Sequence, residues 1–81
     1  MKLPRNIDGD ELASLLSRYG YHITHQTGSH QPLSLEKEGK THVLTVPRPK
    51  PLRVWTLQGI LTDVAHQQDI TRKQVITDLF G

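Results

Sequence analysis

Three prolines within five residues, Pro47-Arg48-Pro49-Lys50-Pro51, constrain this chain more than any other stretch. Each proline fixes its own φ, removes a backbone donor and pushes the residue before it out of the helical region. The segment therefore cannot be helix and makes a poor strand. It reads as a stiff, extended, basic connector. Before it the apolar pattern is one helix and then alternating strands; after it the pattern is helical again. The chain has 81 residues and no cysteine. One domain over residues 1–81 is expected, near the lower limit for a self-sufficient core, with no disulfide or thiolate metal site to reinforce it.

Other absences narrow the class. Lack of cysteine fits a reducing cytoplasm. The start, Met1-Lys2-Leu3-Pro4-Arg5-Asn6, has no apolar run behind its charges, unlike a signal peptide. No stretch approaches the length needed to span a bilayer. A soluble cytoplasmic protein with no membrane partner is expected.

The first helix is well marked. Asp8 is a cap, Glu11 follows at capping-box spacing, and Ile7 and Leu12 stand at the positions of a hydrophobic staple. Leu12, Leu15, Leu16 and Tyr19 recur at helical spacing, and Gly20 is a natural stop. The pattern predicts a helix over 8–19. The period then changes to two. Tyr21, Ile23 and His25 alternate with His22, Thr24 and Gln26, as in a strand. Thr27-Gly28-Ser29 makes a turn, and from His30 a second strand sends Leu33 and Leu35 to one face and His30, Ser34 and Glu36 to the other. Pro32 is awkward inside a strand, and a bulge near its start would accommodate it. Glu38-Gly39-Lys40 turns the chain into a third strand, Thr41 to Val46.

After the connector, Leu57, Ile60, Leu61 and Val64 form a second helical stripe, with Gly59 its weak point. Thr71 with Gln74 and Ile70 with Val75 repeat the box and the staple, opening a short helix that ends near Phe80. The order α-β-β-β-α with a short extra C-terminal helix belongs to the α+β class. It predicts a three-stranded antiparallel sheet with the helices on one face and the other face polar and open.

Candidate chemistry follows from this layout. His30 falls on the open face, opposite Leu33 and Leu35, just after the Gly28-Ser29 turn; glycine there permits a sharp turn and a close approach. An imidazole so placed is either a surface polar group or a proton-transfer group. Net charge is only +2, but Lys40, Arg48, Lys50 and Arg53 lie together with no acidic residue between Lys40 and Arg53. That stretch is either a solvated basic loop or a phosphate contact. His22 and His25 point to opposite faces of one strand, and no His-Glu-x-x-His occurs, so no metal site or cofactor is expected. Ser29 beside His30 lacks an orienting acid and is no catalytic triad, and no phosphate-binding glycine motif is present. Trp55 either packs in the core, where large rings dominate small domains, or stays exposed to stack a base or anchor a protein. Tyr21 carries the same choice.

Taken in order, these residues resemble the HicA family of small bacterial mRNA interferase toxins. The resemblance runs through Glu11-Leu12, Gly20-Tyr21, Gly28-Ser29-His30, Val46-Pro47, Thr56-Leu57 and Ile60-Leu61. It implies a fold like the double-stranded RNA-binding domain. It also implies metal-independent cleavage of mRNA, with His30 as the catalytic residue, and a HicB-type antitoxin that neutralises the toxin. Gly28, Ser29, Lys40, Arg48, Lys50 and Arg53 are then the expected RNA contacts around it. Two positions depart from the family's habit. Pro49 stands where Pro-x-His is common, and Trp55 where Gly-Thr-Leu is common. A non-catalytic RNA-binding module of the same fold is the alternative reading. Single-stranded message is the expected substrate, because bases and the 2′-hydroxyl must both be within reach.

Overall fold

The computed structural model describes residues 3–4, 6–24, 28–48 and 52–81. Helix α1, Gly9–Leu16, begins where the sequence marks it: the Asp8 side chain accepts from the Glu11 N–H at 2.8 Å. Ile7 and Leu12, flanking the cap, are both buried. The predicted helix does not stay α-helical to its end. Its last turn, Ser17–Tyr19, tightens to 3-10, and Gly20 at φ +98° stops it. Tightening is one way the final carbonyls find donors once the i to i+4 ladder runs out.

Strands β1 (His22–Ile23), β2 (His30–Lys37) and β3 (Lys40–Pro47) form an antiparallel meander in that order. The β2–β3 turn consists of Glu38 and Gly39, at φ +53° and +76°. Positive φ at both central residues marks a type I′ hairpin, whose twist matches that of its strands. Register runs one to one from His30–Pro47 to Lys37–Lys40. The bulge anticipated at Pro32 is therefore not formed.

Proline is accommodated differently. The Pro32 carbonyl accepts from the Thr24 N–H at 3.1 Å, so it points toward β1. In a strand, a residue's N–H and C=O point the same way, so the donor that Pro32 lacks would also have pointed at β1. β1 ends at Ile23, just short of that point. The β2–β3 ladder loses nothing, and the first strand is shorter than the alternation through Gln26 suggested. Positions 25–27 of that alternation lie outside the described residues.

Alternation along β2 sends Gln31, Leu33 and Leu35 toward the helices, partnered by Val46, Leu44 and His42 of β3. His30, Pro32, Ser34 and Glu36 face the other side, which is not the wholly polar, open face expected: Ser34 is buried and its partner Val43 is exposed. Helix α2, Val54–Gln68, lays Leu57, Ile60, Leu61 and Val64 on the core. It ends at Asp69, φ +57°, with Ile70 N–H on the Ala65 carbonyl and Asp69 N–H on His66, a Schellman pattern. Helix α3, Arg72–Phe80, is capped by the Thr71 hydroxyl, which accepts from the Gln74 N–H at 3.0 Å.

Asp78 fastens α3 to the turn after α1. Its carboxylate accepts from the Tyr19 hydroxyl at 2.7 Å and from the Gln74 amide at 2.8 Å, and its carbonyl accepts from Arg18. Those hydrogen bonds hold the Asp78 carboxyl below its ordinary range. Burial, then the hydrogen bond and charge of Asp78, push the Tyr19 hydroxyl well up. Among the described residues no helix is long and apolar enough to cross a membrane.

Candidate functional site

One end of the molecule gathers the residues of interest. β2 starts there with His30, paired to Pro47 at the end of β3. A Cβ on Gly9, the first residue of α1, would collide with the Pro47 carbonyl, so glycine lets the helix start press against the strand end. The Ile7 carbonyl accepts from the Leu52 N–H at 2.9 Å, bringing the approach to α2 to the same end.

His30 is exposed on the open face, where the alternation predicted it. Its Nδ1 lies 2.9 Å from the Ser29 hydroxyl oxygen. Neighbours within a strand diverge, but Ser29 precedes β2, so its hydroxyl can reach the ring of the next residue. When Nδ1 carries the proton and donates to Ser29, Nε2 becomes the acceptor nitrogen, the form a general base needs. Nothing lies within 4 Å of where a Cβ on Gly28 would be, so the turn beside His30 is open to close approach.

A polar brace holds that turn. The Arg48 N–H donates to the Ser29 carbonyl at 3.0 Å, and its guanidinium reaches the Gly28 carbonyl at 3.5 Å. Arg48 Nε lies 3.4 Å from Asp10 Oδ1, an ion pair without hydrogen-bond alignment. The same Asp10 oxygen accepts from the Gln31 amide at 2.8 Å. Gln31 is only 1% exposed, so its amide needs that acceptor. The brace floors a groove of about 530 Å³ between α1 and β1, with Ser14, Tyr21 and Ile23 among its walls. His30 is not part of that groove; it lies across the strand from it.

The expected RNA contacts are not all brought together. Gly28, Ser29, Arg48 and Arg53 share the His30 end. Lys50 and Pro49 lie outside the described residues. Lys40 pairs with Lys37 at the opposite end of the hairpin, seven residues or roughly 23 Å along the strand from the His30–Pro47 pair. It is therefore no partner for a phosphate held at His30. Asp10 and Gln31 were missed as site residues, although the parity that turns His30 outward turns Gln31 inward. A glutamine predicted to face a core was the available signal.

Core packing, one of the two readings for Trp55, is not realised: the ring is 71% exposed. Tyr21 does pack in the core, with its hydroxyl 2.7 Å from His42 Nδ1. Burial, then the charge of Asp63, pushes that hydroxyl up to about 12. Among the described residues, no three His, Cys, Asp or Glu side chains come together.

The α-β-β-β-α order, with helices packed on a three-stranded antiparallel sheet and a surface histidine at a braced turn, defines a small α+β domain. The chain belongs to the HicA toxin family: the family model described as HicA toxin of bacterial toxin-antitoxin matches residues 9–65. That match covers α1, the whole sheet and most of α2, and leaves α3 outside. Neither the curated proteins nor the solved structures compared with the chain gave a match. Family membership makes this a toxin of a toxin–antitoxin pair, with an antitoxin as its partner.

Proposed function

We propose that this toxin is a cytoplasmic, metal-independent endoribonuclease of a type II system that cuts single-stranded mRNA with His30 as its catalytic residue. The observation that carries the reading is the exposed His30 beside Ser29 and the open Gly28 turn, in a chain of this family. RNA brings its own nucleophile. His30 Nε2 takes the proton from a ribose 2′-hydroxyl, the 2′-oxygen attacks the adjacent phosphorus, and the bond to the 5′-oxygen breaks. The leaving 5′-oxygen takes a proton from the imidazolium or from water. The products are a 2′,3′-cyclic phosphate and a 5′-hydroxyl, so water is not consumed in this step. Ser29 fixes the ring and selects the tautomer. Arg48, through guanidinium N–H groups not turned to Gly28, and exposed Arg53 stabilise the added charge on the phosphate.

General acid–base help from a positioned histidine is typically worth 10²–10⁴-fold. Asp10, near the same end of the sheet, is committed to Gln31 and Arg48. A HicB-type antitoxin that covers the open sheet face and the basic end would block access to His30. The test is a long transcript incubated with pure protein in EDTA. Fragments ending in 2′,3′-cyclic phosphate support the proposal. Salt-sensitive RNA binding without fragments would instead support the non-catalytic RNA-binding module.

A further inference from the structure

The first turn of α2 presents two apolar side chains to solvent: Val54 is 52% and Trp55 71% exposed. Trp55 is the only tryptophan in the chain. In a domain this small, leaving so large a ring out of the core forfeits a substantial share of the available apolar burial. The ring is not on a loose segment. Leu52 and Leu57 on either side of it are buried, the Leu52 N–H is bonded to Ile7, and the Leu57 N–H to the Arg53 carbonyl. Its backbone is therefore fixed, and fixed at the end of the molecule that carries His30.

The surroundings suit a nucleotide better than a protein. Arg53 is exposed two residues before the ring, Arg48 lies at the same end, and the first turn of α2 has no acidic residue. A protein hot spot sits inside a wider apolar patch. Among the described residues only Val54, beside Trp55 in the chain, is another large exposed apolar side chain of α2, and the others, Ile23 and Val43, belong to the sheet. An exposed, flat π face on a fixed backbone, two residues from an exposed arginine, suits stacking a base of single-stranded nucleic acid with a phosphate held nearby. Resting on the reading that this toxin acts on RNA, we infer that Trp55 is a base-stacking platform. It holds a nucleotide flanking the one cut at His30, with Arg53 on the backbone phosphate beside it.

Because Trp55 is the sole tryptophan, intrinsic fluorescence reports on this ring alone. The experiment titrates the full His30→Gln chain, expected to cut at least 10²-fold more slowly, with single-stranded oligo(A) of about a dozen nucleotides, within the usual site sizes. Saturable quenching is expected. Trp55→Ala in that background should weaken binding roughly 5- to 150-fold, the effect of one stacked base, and Trp55→Phe should restore most of it. In the His30 form, Trp55→Ala should raise KM for a transcript and leave kcat nearly unchanged. Binding without quenching, or Trp55→Ala binding as tightly as its parent, overturns the inference. So does a variant that keeps RNA affinity but loses the antitoxin, which would make the ring a protein anchor. Failure of every form to bind or cut RNA overturns the RNA reading and this inference together. Normal cleavage with an indifferent Trp55 overturns the inference alone.

Discussion

Asp10→Ala should destabilise the domain far more than a surface carboxylate normally does, because it leaves the buried Gln31 amide without its acceptor. An unsatisfied buried donor costs about 1–3 kcal/mol. The ion pair with Arg48 adds little, roughly 0–1 kcal/mol, since the two side chains are 34% and 61% exposed. Loss of an acid from the first turn of α1 adds about 0.3–1 kcal/mol. The total is roughly 2–4 kcal/mol against typical domain stabilities of about 5–15, so the variant folds but melts about 10–20 °C lower. Urea melts of a double-mutant cycle with Gln31→Leu isolate the amide's share. In the leucine background Asp10→Ala should cost only about 1 kcal/mol, because no donor is left stranded. Asp10→Asn, which keeps a carbonyl, should lie near the parent. An equal cost of Asp10→Ala in both backgrounds refutes the brace. The same variant should also cut RNA more slowly, since Arg48 holds the Gly28-Ser29 turn from the Asp10 side.

Two further outcomes follow from local geometry. Gly59 sits exposed inside α2 with nothing within 4 Å of a prospective Cβ. Gly59→Ala should therefore add about 0.5–1 kcal/mol and raise Tm by a few degrees; an unchanged or lower Tm contradicts the open helix surface. Alkali should unfold the protein through Tyr21, whose hydroxyl is raised from 10.0 to about 12. The unfolded tyrosine ionises first, so its contribution is intact below pH 10 and is lost as pH climbs toward 12. Tyr19, raised by burial and Asp78, acts in the same direction. Tyrosinate absorbance should rise together with loss of helical circular dichroism, and a urea midpoint that stays flat across that window contradicts the linkage.

Much of the fold was legible because it is written in periods and caps. Leu33 and Leu35 fixed which way β2 faces, and with it the exposure of His30. The Asp8 and Thr71 caps placed two helix starts. What the sequence did not show depends on pairing across space. Pro32 suggested a bulge because proline is awkward inside a strand; the early end of β1 removes the conflict. Lys40 is an exception: the extended strand predicted over Thr41 to Val46 by itself carries it to the far end of the sheet from Arg48. Trp55 was readable after all. It is two residues from Leu57 and shares its helix face with Gln58, Gly59 and Thr62, away from the Leu57, Ile60, Leu61 and Val64 stripe. The preference of large rings for cores obscured that phase. Asp10 was read as a helix-start acid, which it is, and its second role required the fold.

The central claim is that His30 performs the cleavage step, and one comparison tests it most directly. Wild-type protein and His30→Gln are incubated separately with the same long transcript in EDTA, and initial rates are read from fragment appearance. His30 is exposed at the start of β2, so the substitution should leave Tm nearly unchanged. Cleavage by the variant should fall by at least 10²-fold, the lower bound for loss of a positioned general acid–base. A His30→Gln protein that cuts at the wild-type rate contradicts the account.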